Sequence, residues 1–248
     1  MEQVNKRRIQ EDQYSLPYHY SDIFCEEQKL LWKIERRALL RLVKGLLEPF
    51  AGQAILDAGC GDGRLCYELK DLKVRVTGVD QSLAALSFAR AFNPNINFQM
   101  DNLATMDLKE KFDAIILMET IEHIPTAKIL KVFQNLQRHL KPGGMLLITT
   151  PSKNLPLQPK HYQHFSSKEL ESILCPLFSK VTVSGYMKDN WQMTVFKLLR
   201  NLLFLLYPLR VRIQPVRALY RFLPEFYRRY LAKGDPNDCF GLIAVCRA

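Results

Sequence analysis

The sequence predicts an α/β protein with a mostly parallel sheet and helices on both faces. Short runs rich in β-branched residues alternate with segments whose apolar residues recur at helical spacing, and this alternation is typical of a parallel sheet. A length of 248 residues, of which 48% are hydrophobic, suits one such domain with an insertion.

The predicted elements follow from these local patterns. The first helical segment covers residues 21–50, with Ser21 or Asp22 as its cap. Seven runs predict strands: 53–58, 74–79, 96–100, 112–118, 144–150, 180–186 and 239–246. Helical spacing fills most of the gaps between them: 63–71, 82–92, 126–140 and 166–175. The string KPGG at 141–144 predicts the end of a helix and a turn before the fifth strand.

These elements divide the chain into four parts. An N-terminal arm and helix (1–50) precede a core (51–187), a basic and apolar helical insertion (188–236) and a final strand of the core (237–248).

The charge is concentrated in the insertion. The chain carries a net charge of +10. Between Lys188 and Lys233 there are ten Lys or Arg and two acids, so this segment has a charge of +8 and the rest has +2.

The cysteines and the apolar runs indicate the cellular compartment in which the protein is expected. Six scattered cysteines without a CxxC pair predict reduced thiols rather than disulfides or a zinc site. The charged N-terminus lacks a secretory pattern, and the densest apolar run, 198–209, is too short to span a bilayer. We therefore expect a cytoplasmic protein.

A glycine-rich turn follows the first predicted strand, in AILDAGCGDG at 54–63. Glycines at every second position (59, 61 and 63) let the backbone approach a ligand closely. A dinucleotide site favours GxGxxG and holds a pyrophosphate. Asp57 and Asp62 flank this turn and would repel phosphate, so the expected ligand lacks phosphate and carries positive charge.

Two further acids end the next strands. Asp80 closes the second strand, where an acid accepts hydrogen bonds from ribose hydroxyls. Asp101 follows the third strand and is suited to accept from an exocyclic amine. A nucleoside with a cationic tail and no phosphate fits all of these acids, which describes S-adenosylmethionine.

With LDAGCGDG at 56–63, Asp80 and Asp101, the sequence resembles the class I S-adenosylmethionine-dependent methyltransferases over about residues 50–187, plus a final strand at 239–247. The resemblance implies a Rossmann-like sheet of seven strands whose last strand is antiparallel. It also implies that the glycine turn contacts the methionine portion, Asp80 the ribose, and Asp101 with Asn102 and Leu103 the adenine. The full expected cofactor set is Asp57, Gly59, Cys60, Gly61, Gly63, Asp80, Gln81, Asp101, Asn102, Leu103 and Met118.

The string METIEHIP at 118–125 follows the fourth strand and supplies the catalytic candidates Glu119, Glu122 and His123. His123 is suited to act as a general base. Alternatively, the three residues hold a divalent cation such as Mg²⁺ that lowers the pKa of a substrate hydroxyl. His164 in KHYQHF (160–165) is then the fourth ligand, with His161 as second choice. In a purely structural interpretation, Glu122 caps a helix and His123 packs.

The ExxEH string resembles two sets of enzymes in this superfamily. The small terminal RNA 2′-O-methyltransferases use it, with a later His, as a metal site. The ubiquinone-biosynthesis O-methyltransferases carry a similar string without necessarily sharing the last ligand.

The insertion and the arm have several interpretations. The insertion has four interpretations. Its residues 190–233 lie in a membrane interface, or it covers the substrate pocket. Alternatively, it binds a phosphate-bearing substrate such as RNA, or it packs on the core as a helical cap. Pro208, Pro215 and Pro224 predict short helices within it. Its apolar density favours a hydrophobic substrate or a membrane surface over nucleic acid. The aromatic arm at 14–20 either closes over the cofactor or anchors the N-terminus on the domain surface.

These observations predict O-methylation of a small-molecule, glycan or lipid-linked acceptor. One alternative is 2′-O-methylation of RNA 3′ ends with a metal. A second is a non-catalytic protein that binds S-adenosylmethionine for regulation.

Overall fold

The structure is a computed structural model that describes residues 2–21, 23, 33–205 and 214–248. Four features of the sequence analysis lie outside the described residues: the cap at Asp22, Cys25, Pro208 and the end of the apolar run at 198–209. The five cysteines within them are free thiols.

Seven strands form one sheet in the order β3-β2-β1-β4-β5-β7-β6. Their bounds are β1 Ala54–Ala58, β2 Arg75–Asp80, β3 Asn97–Met100, β4 Phe112–Met118, β5 Leu140–Pro151, β6 Lys180–Lys188 and β7 Cys239–Arg247. Only β7 runs antiparallel to its neighbours, β5 and β6, and all other pairs are parallel. The predicted fold class is therefore confirmed, including the antiparallel final strand.

Helices surround the sheet. The α-helices within the described ranges are α1 Glu2–Asp12, α2 Ile34–Leu47, α3 Arg64–Glu68, α4 Leu83–Phe92, α5 Ile129–His139, α6 Ser167–Leu174, α7 Trp191–Leu205 and α8 Gln214–Tyr230. Ser21 does not cap α2, which begins at Ile34, and residues 24–32 of the predicted helix lie outside the described residues. Its hydroxyl instead donates to the Tyr18 carbonyl oxygen at 2.8 Å and closes the short turn Tyr18–Tyr20.

The KPGG string lies inside β5 instead of forming a turn before it. Phe112 of β4 pairs with Leu140, and Ala114 pairs with Met145, so residues 141–144 bulge out of the ladder. Gly143 takes a positive φ of 72° in this bulge. The expected turn is wrong because pairing with β4 already begins at Leu140.

Both faces of the sheet are covered by apolar packing. All five residues of β1 are buried, as expected for a parallel strand between two layers of helices. Successive side chains alternate between the faces. Leu56 belongs to the cluster that includes Phe133 of α5, and Ile55 belongs to the cluster that includes Val43 of α2.

The insertion between β6 and β7 contains α7 and α8, which pack together over Ile34 of α2 in a third apolar cluster. The helical insertion was predicted, but the break at Pro224 is wrong, because α8 continues through it. Leu223 and Tyr227 on either side of Pro224 are buried, and this packing offsets the lost backbone hydrogen bond. Pro215 is the second residue of α8, where proline is well tolerated.

Across the described ranges, we find no helix with the length and apolar character needed to cross a membrane.

Candidate cofactor and acceptor site

The glycine turn (residues 59–63) connects β1 to α3 and is fixed to β2. The backbone N–H groups of Gly59 and Cys60 donate to the Val79 carbonyl oxygen at 2.7 and 3.0 Å. Gly59 has a φ of 80°, and a Cβ there would overlap the Thr120 side chain. Only glycine therefore lets the segment after β4 pack against the turn.

Asp80 ends β2 and its carboxylate is held by two backbone groups. Oδ2 accepts from the Gly61 N–H and Oδ1 accepts from the Ser82 N–H, both at 2.9 Å. Burial raises the pKa of Asp80, and these two hydrogen bonds oppose the rise. The carboxylate is thus fixed in position at the open side of the turn.

The two acids that flank the turn have internal partners. Asp57 is 1% exposed, accepts from the Cys66 thiol at 3.2 Å, and has its pKa raised to about 7 by burial. Asp62 is fully buried and accepts from the backbone N–H and the Nδ1 of His19 at 3.1 and 2.9 Å. Neither carboxylate lines the cleft described next.

A cleft of about 610 Å³, including its open mouth, lies at the carboxyl ends of β1, β2, β3 and β4. This is where open α/β sheets bind ligands. Six expected cofactor residues line the cleft: Gly59, Asp80, Gln81, Asp101, Asn102 and Leu103. Four expected residues besides Asp57 do not line it: Cys60, Gly61, Gly63 and Met118. The cleft also contains His123 and residues that the sequence did not single out: Gln10, Ala104, Thr120, Ile124, Pro125, Lys128 and Val132.

The aromatic arm packs on the glycine turn. A Cβ on Gly61 would lie 2.7 Å from the Tyr14 hydroxyl, so the two groups are in close contact. Tyr20 is fully buried, and its hydroxyl donates to the Gly63 carbonyl oxygen at 2.9 Å. With His19 on Asp62, each residue from 61 to 63 has a partner in the arm. The aromatic residues therefore anchor the arm.

The helix α1, just before these aromatics, lies along the cleft. Gln10 lines it, and Glu11 accepts a hydrogen bond from the Ser82 hydroxyl at 2.7 Å. At the other side, the Lys6 ammonium donates to the His161 carbonyl oxygen at 2.9 Å. The helix thus connects the side of the cleft next to Asp80 with the loop after β5.

Arg36 of α2, which the sequence analysis did not single out, does not line the cleft but acts electrostatically on groups around it. Its Nε is buried without a hydrogen-bond partner among the described residues. Its positive charge lowers the pKa of Tyr18, His19, Asp57 and Glu119. A cation close to the arm, to β1 and to the end of β4 is suited to an anionic ligand group.

Glu119 directly follows β4 in a strained conformation. Its φ is 52°, which is uncommon for a residue other than glycine. The carboxylate accepts from the Tyr186 hydroxyl at 2.7 Å and from the Thr149 hydroxyl at 3.0 Å. Burial raises the pKa of Glu119, and these hydrogen bonds oppose the rise. Tyr186, at the end of β6, is a second residue that the sequence analysis missed.

Three other groups converge beside this carboxylate. Ligand atoms of Glu122, His123 and His161 all lie within 4.8 Å of one another. The predicted metal set is therefore only partly brought together: Glu122 and His123 meet His161 rather than His164, and Glu119 is bonded to Tyr186 and Thr149.

His164 lies behind His161 and orients it. Nδ1 of His164 lies 2.9 Å from the Leu155 carbonyl oxygen, so this nitrogen carries a proton. In the neutral ring its Nε2 then accepts from Nδ1 of His161 at 2.8 Å. Nδ1 of His123 lies 3.3 Å from the Lys160 carbonyl oxygen. In both His161 and His123, Nε2 is left with a free lone pair.

Burial changes the charge state of this cluster. It lowers the pKa of His123 to about 4 and that of His161 to about 3, so both rings are neutral at pH 7. Burial, together with the nearby Glu119 carboxylate, raises the pKa of Glu122 well above its ordinary value.

A model of the methyltransferase domain family matches residues 31–190. The chain belongs to this family. The methyltransferase domain places it in the class I superfamily, whose members use S-adenosylmethionine.

Individual relatives resemble only part of the chain. The ubiquinone biosynthesis O-methyltransferase of Nitrobacter winogradskyi is 35% identical over 112 residues, which are 44% of this chain and 42% of the relative. The chain thus spans less than half the length of this relative.

Solved structures share the fold. A SAM-dependent methyltransferase from Archaeoglobus fulgidus superposes with a TM-score of 0.57 at 16% identity, over 88% of this chain and 99% of its own. The [4+2]-cyclase SpnF superposes with a TM-score of 0.56 at 19% identity, over 84% and 80% of the two chains. The same fold therefore hosts different reactions, and the reaction has to be argued from the site.

Proposed function

We propose that the protein transfers a methyl group from S-adenosylmethionine to a hydroxyl oxygen of a small-molecule or lipid-linked acceptor. One observation carries the proposal: a single cleft is lined at one side by Asp80 and Asp101 and at the other by His123. Cofactor-type acids and a candidate deprotonating group therefore face the same space, as direct transfer between two bound molecules requires.

The residues present fit the cofactor. Asp80 has a fixed carboxylate for the ribose hydroxyls, and Asp101 with Asn102 and Leu103 is available for the adenine. The buried and unpartnered Nε of Arg36 matches the carboxylate of the methionine portion. When bound, S-adenosylmethionine supplies a methyl group on a positively charged sulfur.

The acceptor hydroxyl has to lose its proton. Glu122, His123 and His161 offer one carboxylate and two imidazole nitrogens with free lone pairs, and His164 orients one of these rings. Such ligands, supported by a second layer of hydrogen bonds, are typical of divalent-cation sites. A divalent cation held there would lower the pKa of the hydroxyl. In the alternative, His123 itself takes the proton.

An oxygen acceptor agrees with the relatives, several of which are named ubiquinone biosynthesis O-methyltransferases. The strained Glu119, bonded to Tyr186 and Thr149, fixes the start of the ExxEH segment. Strain of this kind persists where surrounding contacts hold it, and it clusters at functional sites.

Methyl tracing tests the reaction. The protein is incubated with methyl-labelled S-adenosylmethionine and a lysate of its host, and lipid, small-molecule, RNA and protein fractions are counted. We expect label in the lipid or small-molecule fraction, and a loss of about a hundredfold or more in His123→Ala. As a matched control, Glu110→Gln removes an exposed acid that is paired with Arg75 and should behave like the wild type. Label in RNA would support 2′-O-methylation instead.

The cation is tested separately. Protein stripped with a chelator is titrated with Mn²⁺, and bound Mn²⁺ is followed by electron paramagnetic resonance. We expect one site that His161→Ala weakens by about tenfold or more, since a ligand is lost. Equal binding by His161→Ala would reject the cation and leave His123 as the base.

A further inference from the structure

The outer side of α7 carries a continuous apolar stripe. Trp191, Val195, Leu198, Leu202 and Leu205 follow one another at intervals of four, three, four and three residues, which places them on one side of the helix. All five side chains are exposed, Trp191 and Leu205 by about three quarters.

This stripe is separate from the packing that holds the insertion on the domain. Met193, Phe196 and Leu203 of the same helix are buried in the cluster with Ile34 and Leu223. The helix therefore already has an apolar face in contact with the protein, and the exposed stripe is additional to it.

Exposed apolar side chains are concentrated in the insertion. Among the described residues, fourteen large hydrophobic side chains are exposed, and seven of them lie on α7 or α8. Phe222 and Tyr230 of α8 are the two members outside the stripe. Single exposed hydrophobic residues are ordinary, but a contiguous group marks an interaction surface.

The charge of the insertion identifies the partner. The segment that carries the stripe has a charge of +8, and α7 itself contains two basic residues and no acid. Lys197 is exposed, while Arg200 is paired with Glu35 at 2.7 Å. A helix with an apolar face in a basic setting matches the interface of an anionic bilayer. A nucleic acid would need cations on the exposed face, where α7 has leucines.

We propose that the stripe on α7 docks the protein on the surface of an anionic lipid membrane. With 15 residues, α7 is about 22 Å long, which suits a helix lying in the interface rather than one crossing it. Trp191 at its first position is a residue type favoured at membrane interfaces.

The docking helix is connected to the candidate acceptor site through β6. The helix follows β6, whose Tyr186 contacts Glu119 beside the candidate acceptor site. The docking helix is thus close along the chain to a strand that contacts the candidate acceptor site, and this suits a lipid-linked acceptor. The docking itself is measured without cofactor or acceptor, so its outcome does not depend on the proposed reaction.

Vesicle binding by the full chain tests the proposal. Vesicles of phosphatidylcholine alone are compared with vesicles containing about 30% phosphatidylglycerol by co-sedimentation. We expect binding to the anionic vesicles, with a loss of about tenfold or more when Leu198, Leu202 and Leu205 are all replaced by Gln. In a Trp32→Phe background, Trp191 is the only tryptophan, and its emission should shift to shorter wavelength on binding.

A matched variant controls for the loss of exposed leucines. Leu83, Leu130 and Leu157 are exposed by 62, 52 and 56%, compared with 65, 47 and 75% for the three stripe leucines. Replacing these three by Gln should leave vesicle binding at the wild-type level. Far-ultraviolet circular dichroism of both triple variants checks that α7 still folds.

Three outcomes would overturn the proposal. One is equal vesicle binding by the stripe variant and the wild type. Another is no binding by the wild type to either kind of vesicle. The third is a wild-type dimer in lipid-free buffer that becomes a monomer in the stripe variant, since the stripe would then cover a second copy of the chain.

Discussion

Asp80 has a structural role, and the proposed cofactor role falls on the same side chain. Its two oxygens hold the backbone N–H groups of Gly61 and Ser82, and Asp80 also lines the cleft. The residue that shapes the turn is thus also the one we propose for the ribose, and we expect the geometry of the turn and the cofactor affinity to depend on the same carboxylate.

Replacing Asp80 by Ala should weaken the binding of S-adenosylhomocysteine. The loss of charge-assisted hydrogen bonds corresponds to about 1.5–3 kcal/mol, or roughly ten- to a hundredfold in the dissociation constant. Isothermal titration calorimetry measures it, with Asp71→Ala, an exposed acid paired with Lys44, as the control. An unchanged dissociation constant in Asp80→Ala would contradict the assigned ribose role.

At the scale of single residues, the sequence predicts what a local motif encodes. The glycine spacing and the acids at strand ends predict that Gly59, Asp80 and Asp101 lie at the ligand site, and all three line the cleft. The prediction works because the strand–turn–helix geometry determines where residues at these spacings lie. Arg36 and Tyr186 have no such motif. Arg36 is one of three arginines on α2 (with Arg37 and Arg41), and helical periodicity does not tell which of them approaches a site built by other segments.

At the scale of elements, β4, β6 and β7 are linked by one aromatic ring. Tyr186 of β6 pairs with Gly241 of β7, and a Cβ at Gly241 would overlap the ring. The absent side chain makes room for Tyr186, whose hydroxyl reaches Glu119 after β4. A glycine inside a strand can thus mark the close approach of another group.

Gly241→Ala should therefore destabilise the protein by about 1–3 kcal/mol, because the ring or the strand has to move. Gly45→Ala is the matched control: Gly45 lies in α2, is exposed and has nothing within 4 Å of a Cβ. Alanine there should stabilise by about 0.5–1 kcal/mol, since it is the better helix former. Urea unfolding measures both changes, and a Gly241→Ala variant as stable as the wild type would refute the packing argument.

The predicted elements agree with the structure where periodicity is strong. All seven strands were placed within a few residues of their observed bounds. The disagreements fall where tertiary contacts act against local signals. Pairing with β4 takes KPGG into β5, and the packing of Leu223 and Tyr227 carries α8 through Pro224. Ser21 does not act as the expected cap because it belongs to the turn Tyr18–Tyr20 of the arm, which is bound to the glycine turn.

At the scale of the whole molecule, the site is assembled from segments far apart in the chain. The helix α1 contributes Gln10 to the cleft, and the aromatic arm that follows it is anchored through Tyr20. The His cluster comes from the loop after β5 and the segment after β4. The cleft thus depends on the docking of an arm whose contacts with the turn are mostly polar and aromatic. A titratable group in the arm would therefore make the stability of the whole fold depend on pH.

His19 makes the docking sensitive to acid. Burial is the main cause that lowers the pKa of His19 to about 4, and the positive charge of Arg36 adds to it. In the unfolded chain the pKa is about 6.5. Between these values the unfolded chain binds a proton that the folded chain does not, so the folded state loses stability as the pH falls. The contribution of the neutral ring is complete above pH 6.5 and is lost on the way down to about pH 4.

The free energy of unfolding of the wild type should therefore fall more steeply with acidification than that of His19→Gln. The glutamine cannot titrate but keeps an N–H donor for Asp62. The difference in slope should approach about 1.4 kcal/mol per pH unit, which is the value for one proton. Urea unfolding of both proteins at intervals between pH 4 and 7.5 measures it. Above pH 6.5 the two curves should run parallel, because neither side chain titrates there. Parallel curves below pH 6.5 as well would mean that His19 takes up its proton equally in both states, and the arm would then not be the acid-sensitive part of the site.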